Sequence, residues 1–157
     1  MLQIDTFTDV VLGGKPAAVC PLDAWLDDPT MQAIAAENNL SETAFFVPAG
    51  EGYDLRWFTP NVEVDLCGHA TLAAAFVVFE DLRPDAERVD FATKSGRLTV
   101  VREGADLVMD FPAQPATPVL PPELLLSALS ISPIEVLAGA DYVAVFETAA
   151  NVAQLRP

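Results

Sequence analysis

Positive charge is scarce in this chain: 8 lysines and arginines stand against 23 aspartates and glutamates, a formal net charge of −15 over 157 residues. Such a field repels phosphate backbones and anionic headgroups, which argues against nucleic acid and membrane surfaces as partners. An anionic substrate would need a local cluster of donors to hold it. Thiols are equally few. Cys20 and Cys67 cannot build a disulfide framework, and no metal-ligand spacing links them, which fits a reducing cytoplasm. The N-terminus, Met1-Leu2-Gln3-Ile4-Asp5, has no basic flank leading into an apolar core, and the longest apolar run, residues 72–79, is far too short to span a bilayer. There is one histidine, and it lies in Cys67-Gly68-His69-Ala70-Thr71.

What the chain does have is apolar material, 52% of its residues, enough for a sizeable folded core. Residues 2–7 alternate with period two and predict a strand, which Gly13-Gly14-Lys15-Pro16 turns into a second short strand at 17–20. Asp28-Pro29 supplies a cap residue and a first-turn proline for a helix carrying Met31, Ile34 and Ala35 on one face, ended by Asn38-Asn39. Strands at 44–47 and 53–58 flank a loop of hairpin length with two glycines, and strands at 97–102 and 107–111 flank Glu103-Gly104-Ala105-Asp106. Between them, residues 70–82 are apolar on all sides except Thr71, Glu80 and Asp81. A helix of that kind must be enclosed. The expectation is an α+β fold in which strands surround one buried helix.

Five prolines then fall within residues 112–122, where a linker or crossing segment is expected. Only a helix at 123–129, a strand at 141–146 and a short tail follow, too little to enclose a core. The expected division is one domain over 1–113 and a short second piece over 114–157.

Two stretches carry candidate chemistry. Glu42 is a lone acid at the edge of the apolar strand that begins at Ala44; partial burial there would suit a group that both takes and returns a proton, although a solvated strand end fits the same position. Cys67-Gly68-His69 stands at the entry to the enclosed helix, where unpaired backbone N–H groups and the positive end of the helix dipole can hold a carboxylate. Gly68 would let a ligand approach the backbone. His69 should stay neutral at that terminus, able to donate one hydrogen bond and accept another. A buried cysteine and a capping histidine fit the same residues.

Six blocks in order resemble the phenazine-biosynthesis PhzF-like isomerases: Asp5-Thr6-Phe7-Thr8, Gly14-Lys15-Pro16-Ala17-Ala18-Val19-Cys20, Asn39-Leu40-Ser41-Glu42-Thr43-Ala44-Phe45, Leu55-Arg56-Trp57-Phe58-Thr59-Pro60, Glu63-Val64-Asp65-Leu66-Cys67-Gly68-His69-Ala70-Thr71 and Met109-Asp110-Phe111-Pro112. The resemblance implies a diaminopimelate epimerase-like fold of two similar domains, each a barrel-like sheet wrapped around a central helix, with the active site between them. It places the acid/base role on Glu42 and substrate contacts on Gly68 and His69, and it implies that no metal, flavin or nicotinamide cofactor is needed. The best-studied reaction of the family moves a proton within a cyclic hydroxylated dihydroanthranilate and so isomerises a double bond, but likeness does not transfer a substrate. Where the family usually reads Gly-Asn-Pro, this chain has Gly14-Lys15-Pro16, so Lys15 either meets an acidic substrate group or points into solvent. Family members usually fill two whole domains, and no counterpart of their second-half motif is present. The chain is therefore expected to hold the first domain, the opening of the second, and half of an active site.

Three functions follow as expectations. The first is isomerisation by proton transfer through Glu42 on a small-molecule substrate. The second is a thiol-based epimerase using Cys67, for which Cys20 in a core strand is a poor opposing acid. The third is a non-catalytic binding domain from a truncated family member. With the facing half absent, self-association or pairing with a complementary half is expected.

Overall fold

The computed structural model describes residues 1–10, 12–111 and 113–156. They form two compact units, Met1–Phe111 and Pro112–Pro157.

The first unit runs β1 (Leu2–Thr6), β2 (Lys15–Pro21), α1 (Asp28–Asn38), β3 (Thr43–Ala49), β4 (Gly52–Phe58), β5 (Glu63–Val64), α2 (Gly68–Val77), β6 (Arg88–Thr93), β7 (Gly96–Glu103) and β8 (Asp106–Met109). One sheet holds all eight strands in the order β1-β2-β3-β4-β6-β7-β8, with β5 paired to β4. Neighbours are antiparallel except β2 with β3, connected through α1, and β4 with β6, connected through α2. The expected α+β class, with a curled sheet around one helix, is what the structure has.

Strand alternation sorts the side chains between two faces. Ala17, Val19, Phe46, Leu55, Trp57 and Phe91 point into the curl and pack on α2, while Cys20, Phe45 and Phe58 point outward and are covered by Met31 and Ala35 of α1. Four alanines, Ala70, Ala73, Ala74 and Ala75, are fully buried in α2. Their small side chains let the strands close tightly around a good helix former. The helix begins at Gly68 rather than Ala70 and continues past Val77 as a π-helical turn, Val78–Leu82, closed by Arg83 N–H donating to the Val78 carbonyl at 2.7 Å.

Enclosure on all sides is not what the structure shows. β1 and β8 are the two ends of the strand order, and along the groove between them Leu72 and Phe76 face outward beside Ile4, Phe7 and Leu107. Phe76 is 43% exposed. A periodic apolar pattern identifies a helix that needs burial, but does not reveal that the sheet leaves one side open. β1 itself stops at Thr6, one residue earlier than predicted, because Phe7 adopts φ 60°, where an extended strand cannot continue.

Two further details differ from the sequence pattern. The cap of α1 is Asp27, whose carboxylate accepts from the Thr30 N–H at 2.8 Å. Asp28 instead pairs with Arg56 at 2.8 Å. Arg56 also grips Glu63 in a two-point pair, 2.7 and 2.9 Å, and lies over the rings of Trp25 and Phe58. This single guanidinium ties α1 and β5 to β4, and so anchors the segment leading into Cys67. β6 is not among the predicted strands: Val89 and Phe91 alternate inward, but Arg88 and Asp90 interrupt the apolar signal.

The second unit holds β9 (Thr117–Pro118), β10 (Glu135–Ala138) and β11 (Tyr142–Val145) in one antiparallel sheet, with α3 (Glu123–Ala128) and α4 (Ala149–Ala153). A strand forms inside the proline-rich stretch because Thr117 and Pro118 lie at the edge of this sheet, where a missing N–H is tolerated. β10 and α4 escape the sequence pattern because both are short. Val136 is the one buried apolar side chain among the described residues of this unit. No helix of the described residues is long and apolar enough to cross a membrane.

The enclosed and open sides of α2 make a direct comparison possible. Ala74→Asp would bury a charge without a partner and should cost several kcal/mol in urea denaturation, whereas Phe76→Asp should cost about 1 kcal/mol or less, with a soluble product. Equal losses at the two positions would contradict the arrangement of the helix in the sheet.

Candidate active site

Glu42 immediately precedes β3, and its backbone is fixed from both sides. The Ala18 N–H of β2 donates to its carbonyl at 3.2 Å, and the next residue, Thr43, accepts from Asn38 Nδ2 at the end of α1, 3.1 Å away. The left-handed Asn39, φ 51°, stops α1 and turns the chain towards this point. Glu42 therefore reaches the same rim of the sheet from which the N-terminus of α2 emerges.

At that terminus Cys67 is the N-cap residue, and its side chain makes no capping hydrogen bond. Its carbonyl accepts from both the N–H and the hydroxyl of Thr71, which locks the first turn. His69 Nδ1 stands 3.4 Å from Cys67 Sγ, and His69 Nε2 stands 3.2 Å from Glu42 Oε2. The His69 side chain is only 6% exposed and that of Glu42 18%. Although close, Nε2 and Oε2 are outside hydrogen-bonding geometry, and each is buried without another partner. Buried polar groups in this condition are costly and uncommon.

Burial lowers the proton affinity of His69 below the ordinary imidazole value of 6.5, and the Lys15 charge lowers it further, outweighing the opposite pull of Glu42. The neutral imidazole expected from the sequence thus follows mainly from desolvation. Burial, with a smaller contribution from Glu42, pushes the Cys67 thiol up to about 11. It is protonated at neutral pH.

Lys15 opens β2 opposite Thr6. Its side chain is exposed, and its charge nevertheless acts on both Cys67 and His69. The turn before it is tight. A Cβ at Gly14 would collide with the Thr6 carbonyl and the Thr8 side chain, which makes glycine obligatory there. Gly68 is different, since a Cβ would make ordinary contacts with Phe111 and Met109 at 3.5 and 3.8 Å. The fold does not demand glycine at that position, and the Cβ direction leads to the end of β8.

The structure thus brings Glu42, Cys67 and His69 together, with Gly68 in the same helical turn and Lys15 in electrostatic reach. What the sequence pattern does not reveal is the support: Asn38, which steadies Thr43, and the Arg56–Glu63 pair behind the segment leading to α2. The charges at positions 56 and 63 are visible in the sequence, but their pairing depends on β5 lying beside β4.

The electrostatics predict a stability profile with two separate acid limbs. Below about pH 6.5 the unfolded imidazole takes a proton that folded His69 resists, so stability falls with pH, by at most about 1.4 kcal/mol per unit. Glu63, held by Arg56 down at about 2, gives stability that is complete above its ordinary value of 4.5 and lost as pH falls towards 2. Denaturation at a series of pH values should show both limbs, and His69→Gln should remove the upper one alone. An upper limb unchanged by His69→Gln would assign it elsewhere.

The model of phenazine biosynthesis-like proteins matches residues 4–151. An uncharacterized isomerase of Pseudomonas aeruginosa is 55% identical over 157 residues, covering all of this chain and 61% of that protein. A human phenazine biosynthesis-like domain-containing protein is 44% identical over 122 residues, 73% of this chain and 42% of its own length. Among solved structures, a PhzF-family phenazine biosynthesis protein of Enterococcus faecalis superposes with a TM-score of 0.90 at 42% identity, covering 99% of this chain and 60% of that one. A predicted epimerase from Pseudomonas aeruginosa superposes with a TM-score of 0.73 at 25% identity, covering 98% of this chain and 61% of that one. This chain spans about 60% of the length of these bacterial relatives. By model, identity and fold together, it belongs to the phenazine biosynthesis-like, or PhzC/PhzF, family.

Proposed function

We propose that this chain supplies the proton-transferring wall of an isomerase site, with Glu42 as the acid/base and His69, Lys15 and the N-terminus of α2 as substrate anchors. The observation that carries this reading is Glu42 Oε2 standing 3.2 Å from His69 Nε2, both side chains largely buried and both of these atoms without a hydrogen-bond partner. A substrate carboxylate or hydroxyl entering beside them would satisfy the imidazole and meet the uncapped N–H groups of α2 and the Lys15 charge, which offsets the repulsive field of the chain. Glu42 then takes a proton from one carbon, the electron pair shifts through the adjoining double bond, and Glu42 returns a proton at another carbon, the proton exchanging with solvent while it is held on the carboxyl. The balance needs no oxidant. The substrate class is a small cyclic or carboxylate-bearing metabolite, as in the family resemblance.

Proton transfer of this kind needs the reactant fixed on both sides, since orientation accounts for roughly 7–11 kcal/mol of barrier. The facing wall would come from the part of the relatives' length that these 157 residues do not match, or from a partner chain. Two buried, unpaired thiols fit a reducing, cytoplasmic setting. The thiol-epimerase alternative is weakened by a Cys67 thiol held near 11 and by Cys20, which packs under α1 on the opposite face of the sheet.

Solvent deuterium incorporation into a dihydroanthranilate-type substrate tests the assignment, with the unmatched portion of the Pseudomonas aeruginosa relative supplied in trans. Incorporation should fall about 10²–10⁴-fold in Glu42→Gln and persist in Cys67→Ser. The chain alone, as a monomer, should show none. Exchange that survives Glu42→Gln but not Cys67→Ser would favour the epimerase, and binding without exchange would favour a non-catalytic domain.

A further inference from the structure

Glu42, Cys67 and His69 offer three different donor atoms, a carboxylate oxygen, a sulfur and a ring nitrogen, all within 4.8 Å of one another. Cys67 and His69 are buried and the Glu42 side chain is 18% exposed. The Glu42 oxygen and the imidazole Nε2 lack hydrogen-bond partners, so no existing bond has to be broken to use either lone pair. We propose that these three side chains form a binding site for a thiophilic divalent cation of the zinc type, with its fourth position left for water or an incoming ligand.

The donor set decides the kind of cation. Sulfur and imidazole select zinc-like ions, whereas magnesium and calcium require shells of oxygen. Tetrahedral bonds of about 2.0–2.3 Å separate neighbouring donors by about 3.3–3.7 Å, so a spread of 4.8 Å closes with side-chain shifts of about 1 Å. Two of the donors, Cys67 and His69, are held two residues apart at the start of one helix, and Glu42 is anchored through the β2–β3 pairing. A thiolate and a carboxylate neutralise the dication. The imidazole is already neutral and offers a lone pair. Lys15 opposes the cation with a single charge exposed to water, against a chain carrying −15 overall.

Binding must displace the Cys67 proton, so one proton is released per cation and affinity rises with pH. On the assignment of Glu42 as the acid/base, a bound cation occupies the carboxylate that moves the proton and therefore inhibits exchange. The metal site itself does not depend on that assignment.

Cobalt titration of the metal-free chain, followed by optical absorption without substrate, tests the proposal. The expected result is one equivalent of Co²⁺ with a sulfur-to-metal charge-transfer band and the visible intensity of a tetrahedral centre, displaced by Zn²⁺ and unaffected by Mg²⁺. Cys67→Ser should abolish the charge-transfer band and Cys20→Ser should keep it. Glu42→Gln, at a partly exposed position that leaves the packing intact, should weaken Co²⁺ affinity by more than about tenfold. Absence of stoichiometric Co²⁺ binding, a band that survives Cys67→Ser, or undiminished affinity in Glu42→Gln would overturn the proposal. Because the readout is a spectrum, it is independent of whether the chain isomerises anything.

Discussion

The arrangement depends on one constraint: an apolar helix rich in alanine has to leave water, and a single curled sheet is what covers it. Ala70, Ala73, Ala74 and Ala75 are fully buried, and small side chains there let the strands curl close to the helix axis. Once α2 lies in the curl, its N-terminus must emerge at one rim. That rim is where Glu42 joins β3 and where Lys15 starts β2. Core packing thus positions the candidate chemistry, and the site needs no dedicated scaffold of its own.

The electrostatics follow from the same placement. A strongly acidic chain would be expected to favour protonated imidazole, yet His69 is pushed the other way because burial outweighs the neighbouring carboxylate. Cys67 is raised for the same reason. Both groups are therefore neutral near pH 7, and Lys15 is the local positive charge that acts on them. This state suits the proposed proton transfer, because Glu42 then has neutral neighbours that can hydrogen-bond to an incoming group.

Much of this was legible in the sequence where the signal was local. The all-round apolar character of residues 70–82 required a buried helix, and the strands at 44–47 and 53–58 emerged with a two-residue turn at Gly50-Glu51 between Ala49 and Gly52. The meeting of Glu42 with Cys67-Gly68-His69 was accessible only through the family resemblance, since 25 positions separate residue 42 from residue 67 and no spacing rule links them. Long-range features were not legible. Asp28 resembled a cap, but the cap was its neighbour Asp27, because an Asp-Asp-Pro run leaves two acids equally suited and only the pairing with Arg56 separates them. The open side of the curl, with Phe76 in it, depends on where strand pairing ends, and β6 was hidden by charges that are exposed at a sheet surface.

The central claim is that His69 is a neutral, desolvated imidazole coupled to Glu42. Because the chain has one histidine, an NMR titration of its ring nitrogens reports on this site with no assignment problem. The expected result is an imidazole that titrates below 6.5 and moves lower still in Glu42→Gln, since that change removes the carboxylate that favours the charged ring. A midpoint at or above 6.5, or one unmoved by Glu42→Gln, would contradict it.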